Sequence, residues 1–180
     1  KPPHEDEYIE LHIRHVPDGQ FGDYVFDGMK VKELLRLEGP LGSFYLREES
    51  ERPIIMMGGG TGFAPIKGML EHAFHIELNR PIHLFCGVRA RCDLYLDDMV
   101  NSWVQQHDNL KYTPVLSEPA PGDNWQGKTG FVHEAITEAY PELSGFDVYM
   151  SGPPPMIKAG MEAFYAHGLP ETQIYSDSFE

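Results

Sequence analysis

The chain has 180 residues, 41% of them hydrophobic and 23% charged, which is typical of one folded domain plus part of another and argues against a disordered chain. Its 14 Lys and Arg against 28 Asp and Glu give a net charge of −14, which repels polyanions and argues against nucleic-acid binding. Two cysteines cannot supply a disulfide framework, a four-cysteine zinc site or a four-thiolate iron–sulfur cluster.

Residues 1–50 show the pattern of short β-strands. Residues 8–14 alternate apolar and polar side chains as a half-buried strand does. Two further candidate strands, 34–37 and 44–46, flank the turn-rich stretch 38–43. Three strands in about 50 residues cannot close a barrel or bury both faces of a sheet, so we expect this part to belong to a larger β structure.

After Arg52 the pattern changes to alternating strands and helices. The apolar run 53–57 is typical of a strand covered on both faces of a parallel sheet, and residues 63–78 keep the spacing of an amphipathic helix. Further strands are predicted at 82–87, 110–116 and 147–150, and further helices at 99–106, 131–139 and 156–167. Such alternation predicts an α/β fold built on a doubly wound parallel sheet.

In such sheets ligands bind beyond the carboxyl ends of the strands, and the first strand ends in the glycine loop 58–62. Glycines let the backbone approach a pyrophosphate, the following helix offers free N–H groups, and Thr61 adds a hydroxyl. The loop is not the Rossmann fingerprint, because the third glycine would fall on Phe63, and no Gly-Lys-Ser/Thr of a P-loop follows. We interpret it as a phosphate-binding loop; the alternative is a helix start that needs glycine only for tight packing.

Two other strand ends carry candidate binding residues. Arg89 and Arg91 follow the second strand, where an arginine pairs with the 2′-phosphate of NADP; solvated surface arginines are the alternative. Three prolines, residues 153–155, follow the fourth strand and predict a rigid wall with few free donors, suited to packing against a flat ring.

Other classes of site have less support. His72 and His75 are three apart on a helix, but no third ligand lies at a convincing spacing, so no metal site is predicted. Ser151 lacks the G-x-S-x-G surroundings of a hydrolase nucleophile. No apolar run approaches the roughly 20 residues of a membrane span, and the charged N-terminus has no signal-peptide core, so we expect a cytoplasmic protein without a membrane partner.

Several motifs occur together along the chain. They are Gly58-Gly59-Gly60-Thr61-Gly62-Phe63-Ala64-Pro65, Gly87-Val88-Arg89 with Asp93-Leu94-Tyr95, Ser151-Gly152-Pro153-Pro154-Pro155-Met156, and the ending Tyr175-Ser176-Asp177-Ser178-Phe179-Glu180. In this order they resemble the ferredoxin–NADP reductase superfamily. They are most similar to the NAD(P)H-dependent reductase components of oxygenases and to CDP-6-deoxyglucoseen reductase-like proteins. The stretches 11–14 and 39–44 resemble the second half of the family's flavin-binding barrel.

The resemblance implies an electron-transfer flavoprotein. Hydride would pass from NAD(P)H to FAD, and electrons would leave singly to an iron–sulfur or oxygenase-type acceptor, either a ferredoxin-like domain or an oxygenase component. It implies two domains: residues 1–50 as the C-terminal part of an antiparallel FAD-binding β-barrel, and residues 51–180 as the NAD(P)-binding α/β domain.

The resemblance also assigns roles to residues. Those implied around NAD(P)H are Gly59, Gly60, Thr61 and Gly62 at the pyrophosphate, Arg89, Asp93 and Tyr95 at the adenosine, and Gly152, Pro153 and Met156 at the nicotinamide. The implied catalytic residues are Ser151 beside the nicotinamide, Phe179 over the flavin ring and Asp177 near its N5 edge. Those implied around the flavin pyrophosphate are Gly19, Phe21, Gly22, Gly39 and Gly42.

Four departures from the family pattern bear on function. The flavin-gripping Arg-x-Tyr-Ser motif, which would precede Lys1, is absent, and Gly22 stands where a serine or threonine is usual. Ser151 replaces the usual cysteine. No cluster-binding C-x-x-x-x-C-x-x-C segment occurs, so a two-iron two-sulfur cluster would lie in a missing or separate domain. We therefore expect the chain to be the C-terminal part of a longer reductase.

Two questions stay open at the level of sequence. Arginine after the second strand favours NADPH, whereas the branch that the chain resembles mostly uses NADH; we expect NADH. The alternative to an enzyme is a regulatory module that binds a dinucleotide without turnover.

Overall fold

The computed structural model describes residue 4, residues 7–39 and residues 41–178. From residue 54 onward the chain forms one sheet with six parallel strands in the order β4-β3-β2-β1-β5-β6. The strands are β1 (Ile54–Gly59), β2 (Ile82–Val88), β3 (Leu110–Leu116), β4 (Lys128–Thr129), β5 (Asp147–Gly152) and β6 (Ile174–Ser178).

Helices cover both faces of this sheet. The short α1 (Gln20–Asp23) runs into a π-helical turn, Tyr24–Gly28, before the sheet begins. The others are α2 (Phe63–His75), α3 (Asp97–Gln106), α4 (Val132–Ala139) and α5 (Pro154–Ala166). Across the described ranges, no helix combines the length and the apolarity that crossing a bilayer requires.

The central strand β1 shows why the sheet needs two helical layers. Ile54 and Met56 pack with α2 and α3, whereas Ile55 and Met57 pack with α4 and α5. Successive side chains of a strand point to opposite faces, so a run of apolar residues requires cover on both sides. This confirms the predicted doubly wound parallel sheet.

The four predicted strands and four predicted helices of this part are confirmed, with boundaries that move by one to a few residues. Two strands were missed. β4 has only two residues, both exposed, and β6 has the largely polar sequence Ile-Tyr-Ser-Asp-Ser. Edge strands with one neighbour need little apolar surface, so hydrophobic periodicity does not reveal them.

The three strands predicted at 8–14, 34–37 and 44–46 are wrong as strands. Among the described residues none of these segments joins a sheet; they are extended or irregular. Their apolar side chains are largely exposed, Leu34 at 97%, and of the residues before β1 that the structure describes, Leu46 is the single hydrophobic one in the core. An isolated strand has no neighbouring strand to share hydrogen bonds with and no apolar surface to pack against. The short length of this part already indicated that it could not form a covered sheet.

A buried polar cluster attaches this N-terminal part to the sheet. The Arg80 guanidinium donates to the carbonyls of Arg47 and Arg52 and pairs with the Asp147 carboxylate, its NH2 lying 2.5 Å from Oδ2. The Arg47 N–H donates to the Tyr149 hydroxyl, and its guanidinium stacks on Tyr175. The segment before β1 is therefore held at the start of β5.

The pH dependence of stability has an identifiable source in His83 on β2. Its ring nitrogens lie 2.8 Å from the Tyr140 and Thr113 hydroxyls. Burial, with a smaller contribution from Lys111, lowers the pKa of His83 from 6.5 to about 4. Between these values the unfolded chain holds a proton that the folded chain does not, so stability is complete above pH 6.5 and falls as the pH falls towards 4.

We expect this effect to cost about 1–2 kcal/mol of unfolding free energy at pH 4, because His83 is only partly buried and solvent screens its charge. Urea denaturation at stepwise pH values measures it. The His83→Gln variant, which cannot ionise, should show a smaller loss over the same range; an identical loss would assign the acid sensitivity to other groups.

Candidate functional site

The carboxyl ends of β1 and β5 form the crevice in which open parallel sheets bind ligands. β1 runs into the glycine loop before α2, and β5 into the proline-rich start of α5. A cleft of about 900 Å³ lies over these ends and that of β2, within the usual range of small-molecule sites. Its predicted lining residues are Gly59, Gly60, Arg89, Asp93, Pro153 and Met156.

The glycine loop is tightly enclosed on one side. A Cβ on Gly59 would lie 2.6 Å from the Met156 sulfur, and a Cβ on Gly62 would collide with the Ser151 carbonyl oxygen. Gly60 has a φ of +54°, in the left-handed region that favours glycine. The loop therefore packs on β5, and it leads into α2, whose first N–H groups have no partner within the helix. The tight packing of the loop is therefore observed, and a phosphate-binding role for the same glycines stays a prediction.

The end of β5 places Ser151 beneath the loop. Ser151 is fully buried, and in the part of the chain that is described its Oγ has no hydrogen-bond partner. Its neighbour in the β5–β6 register is Asp177, which is exposed. α5 begins at Pro154, and the Met156 N–H donates to the Pro153 carbonyl. Pro153 and Pro155 form one wall of the large cleft, and the packing of this proline wall against a flat ring stays a prediction. Gly152 lies buried behind that wall, against Met156.

The two arginines after β2 have different surroundings. Arg91 donates from its guanidinium to the Asp123 carbonyl at 2.9 Å, which turns it towards the 3-10 turn Pro121–Asp123. Arg89 is exposed and lines the large cleft. Asp93 accepts from the Ala90 N–H and lies 3.7 Å from Arg14. Of the two arginines after β2, Arg89 is therefore the one available to a ligand.

A second cleft, of about 450 Å³, adjoins the first along residues 10–14. Of the predicted residues it contains Gly60, Thr61, Asp93 and Tyr95. His12 borders it too, with Nδ1 lying 2.6 Å from the Tyr95 hydroxyl and Nε2 lying 2.6 Å from Glu10. Burial raises the pKa of Tyr95 to about 12, and the hydrogen bond from His12 lowers the pKa of Glu10. Of the two clefts, Tyr95 lines the second and not the larger one.

Sequence reasoning missed much of the larger cleft. Ser117 after β3 and Phe131 to Glu134 at the start of α4 line it, as do residues 14–17. Phe131 is 61% exposed, an unusual state for a phenylalanine in a folded domain. Ser117 follows the predicted strand β3, which ends at the same edge of the sheet as β1, so its position in the sequence was a signal. Phe131 follows β4, which hydrophobic periodicity does not reveal.

The residues implied around the flavin are not brought to these clefts. Gly19, Phe21 and Gly22 lie on or beside α1, and Gly39 and Gly42 in a loop; none of the five lines either cleft. Phe179, implied to cover the flavin ring, lies outside the described residues. The binding role of the five therefore gains no support from their positions.

The larger cleft has the volume of a small-molecule site and borders the glycine loop, which is compatible with a dinucleotide. The second cleft is lined by both apolar and polar residues, which is compatible with a planar ring. For a metal the fit is weaker. His15, Asp23 and Asp27 bring ligand atoms within 4.8 Å of one another, but a hydrogen bond between His15 and Asp23 already accounts for part of this approach. We assign no metal to this cluster.

Comparison with protein families finds two matches. The family described as "Oxidoreductase NAD-binding domain" matches residues 56–161, and the family described as "Oxidoreductase FAD-binding domain" matches residues 1–45. The first covers most of β1, all of β2 to β5, the glycine loop and the first part of α5. The second covers the segment that borders the second cleft.

Individual relatives agree with these matches. The chain is 43% identical over 95% of its length to CDP-6-deoxy-L-threo-D-glycero-4-hexulose-3-dehydrase reductase of Yersinia pestis, of which it covers 51%. It is 34% identical over 98% of its length to the anthranilate 1,2-dioxygenase electron transfer component of Acinetobacter baylyi, again covering 51%. The structure of the Amycolatopsis cytochrome P450 reductase GcoB aligns with a TM-score of 0.82 at 31% identity, over 99% of this chain and 54% of that one. The chain spans about half the length of the curated relatives that it matches.

Proposed function

This chain belongs to the ferredoxin–NADP reductase-like family of oxidoreductases, and we propose that it is the NAD(P)H-binding part of a flavin reductase that passes electrons to an iron–sulfur or oxygenase-type acceptor. The observation that carries the proposal is the cleft of about 900 Å³ between the glycine loop and the proline wall. When bound, NAD(P)H and FAD supply the hydride and single-electron chemistry; the chain's own task is to hold the two rings in place.

The proposed nucleotide contacts follow the cleft. The backbone at Gly59 to Gly62 binds the pyrophosphate, supported by the close approach of Gly62 to β5, the open space at Gly60 and the N-terminus of α2. Arg89 and Asp93 lie by the adenosine. Gly152, Pro153 and Met156 shape the nicotinamide wall, and the unpartnered Ser151 Oγ lies under it. Tyr95 contacts the ring in the second cleft instead of the adenosine, which changes the role implied by the resemblance.

We propose residues 1–50 as flavin-side and residues 51–180 as nucleotide-side domains, in keeping with family matches that end at residue 45 and begin at residue 56. On the flavin side, Asp177 and Phe179 stay proposals, as do Gly19, Phe21, Gly22, Gly39 and Gly42. The cytoplasmic location expected from sequence also stays a prediction.

NADH is the proposed coenzyme. Arg89 would favour a 2′-phosphate, but the second arginine of the cleft, Arg14, lies 3.7 Å from Asp93, and Glu134 lines the same cleft and opposes a phosphate by charge repulsion. Calorimetric titration with NAD⁺ and NADP⁺ decides the matter. We expect NAD⁺ to bind at least tenfold more tightly, a difference of about 1.4 kcal/mol. Tighter binding of NADP⁺ would assign Arg89 to the phosphate.

The reductase proposal is tested by adding FAD to the chain and following NADH-dependent reduction of ferricyanide. We expect FAD-dependent turnover that the Met156→Glu variant lowers, because it places a carboxylate in the wall of the cleft, where it would repel the anionic nucleotide. Saturable NAD⁺ binding with no turnover at any FAD concentration would instead favour a regulatory nucleotide-binding module. The observation that favours this alternative is that none of the five residues implied around the flavin lines either cleft.

A further inference from the structure

Residues 9–14 form an extended segment, the 9–14 segment, whose side chains alternate between two environments. Successive side chains of an extended chain point to opposite sides. On one side, Ile9 and Leu11 are 70% and 46% exposed. The other side is polar and contacts the part of the chain that carries the sheet. The contacting side chains are Glu10, His12 and Arg14.

Two of these three contacts are buried. Lys67 Nζ on α2 lies 3.3 Å from Glu10 Oε1, and the Tyr95 hydroxyl after β2 lies 2.6 Å from His12 Nδ1. The Lys67 side chain is only 9% exposed and that of His12 only 8%. The contact of Arg14, at 3.7 Å and with a 58% exposed side chain, is the loosest of the three. The buried pairs therefore carry most of the attachment.

These side-chain contacts set the width of the second cleft. In the part of the chain that is described, no backbone hydrogen bond joins the 9–14 segment to the sheet or its helices, and neither core cluster contains one of its apolar side chains. The second cleft lies between residues 10–14 on one side and Gly60, Thr61 and Tyr95 on the other. How closely the segment approaches α2 and the turn after β2 thus decides how wide the cleft is.

Lys67 holds its charge despite its burial. Burial by itself would lower the pKa of Lys67, but hydrogen bonds and ion pairs with Glu71 and Glu10 raise it above its ordinary value. The hydrogen bond from His12 lowers the pKa of Glu10. Both members of the Lys67–Glu10 pair are therefore charged at neutral pH. Lys67 lines neither cleft, so it acts on a ligand only through the residues that it holds.

We propose that Lys67 is a positioning residue for hydride transfer, which holds the 9–14 segment against α2 through Glu10 and so sets where a ring in the second cleft lies relative to the bound nucleotide. The inference rests on the proposed reductase function. α2 begins directly after the glycine loop, so the ion pair ties the segment to the helix that carries the nucleotide site. A misplacement of about 1 Å between reacting groups can lower a rate about 100-fold. Nucleotide affinity depends on the larger cleft, which Lys67 does not line.

The Lys67→Met variant tests the proposal with two independent measurements. The first is the rate of trypsin cleavage after the exposed Arg14, which follows the fraction of molecules with a released segment and needs no cofactor. We expect it to rise at least about fivefold. The second is FAD-dependent reduction of ferricyanide by NADH, whose kcat should fall at least about tenfold. The Kd for NAD⁺, measured by calorimetry, should stay within about twofold, because the larger cleft is intact.

Three further variants control this test. Glu71→Gln removes the other ion pair of Lys67, 2.7 Å long and within α2, but keeps the pair with Glu10, so it should change neither the cleavage rate nor kcat. Lys67→Arg keeps the charge and should restore most of both. Glu10→Gln breaks the same pair from the other side and should reproduce both changes, so the test does not depend on the folding of one variant.

The outcomes separate the inference from the function on which it rests. Unchanged cleavage after Arg14 in both Lys67→Met and Glu10→Gln would overturn the inference and leave the reductase proposal standing. Faster cleavage with unchanged kcat would overturn it too, because the ion pair would then attach the segment without positioning a ring. A wild-type chain that binds NAD⁺ but shows no FAD-dependent turnover would overturn the proposed function, and this inference with it.

Discussion

The Arg80→Met variant is expected to unfold about 3–5 kcal/mol more easily than the wild type, because the substitution leaves a buried carboxylate without its partner. Asp147 is fully buried at the start of β5, and Arg80 NH2 lies 2.5 Å from its Oδ2. The same guanidinium satisfies the Arg47 and Arg52 carbonyls. Urea denaturation followed by circular dichroism gives the difference in unfolding free energy.

Arg52→Met is the matched control for Arg80. Its guanidinium also faces Asp147, but at 3.7 Å and with 52% of the side chain exposed, so its loss should cost less than about 1 kcal/mol. Combining Arg80→Met with Asp147→Asn should recover part of the stability, since the buried charge is then gone. Equal losses for the two arginine variants would mean that burial does not set the strength of this ion pair.

The Gly62→Ala variant is expected to lose NAD⁺ affinity at least tenfold, about 1.4 kcal/mol, and to lose stability as well. A Cβ at this position meets the Ser151 backbone, which is part of β5 and cannot move aside as a flexible side chain could. The glycine loop would have to shift away from the strand and out of its position over the cleft. Calorimetry with NAD⁺ measures the first effect, and urea denaturation the second.

Gly122→Ala is the control for the glycine loop, because a Cβ there meets no atom within 4 Å. It should change neither NAD⁺ affinity nor stability by a measurable amount. If Gly62→Ala bound NAD⁺ as the wild type does, the close approach of the loop to β5 would have no part in nucleotide binding.

The fold of the second part could be predicted because its signals are local. The apolar pattern of residues 53–57 and of the helix after them predicts which side chains are buried. The burial of β1 and α2 in the structure confirms this prediction. The first part could not be predicted in the same way. Residues 8–14 alternate as a strand does, but pairing depends on a neighbouring strand, and the described chain offers none.

The residues of the candidate site also differ in whether a local sequence pattern marks them. The glycine loop, the proline wall and Arg89 were found because each follows a predicted strand, and parallel strands end at one edge of the sheet. Phe131 and Ser117 end up at that edge too, but they have no motif that marks them. In the sequence Arg91 is as good a candidate as Arg89, but in the structure its guanidinium donates to the Asp123 carbonyl.

By itself the sequence determined the α/β class and the position of the glycine loop after the first strand of the sheet, since these follow from periodicity and glycine spacing. Only the tertiary structure decided which distant groups meet. His12 and Tyr95 are 83 residues apart, and Arg80 and Asp147 are 67 apart. Hydrogen bonds and ion pairs act over a few ångströms, so a pairing between residues distant in sequence is set by the packing of the whole sheet and leaves no local pattern.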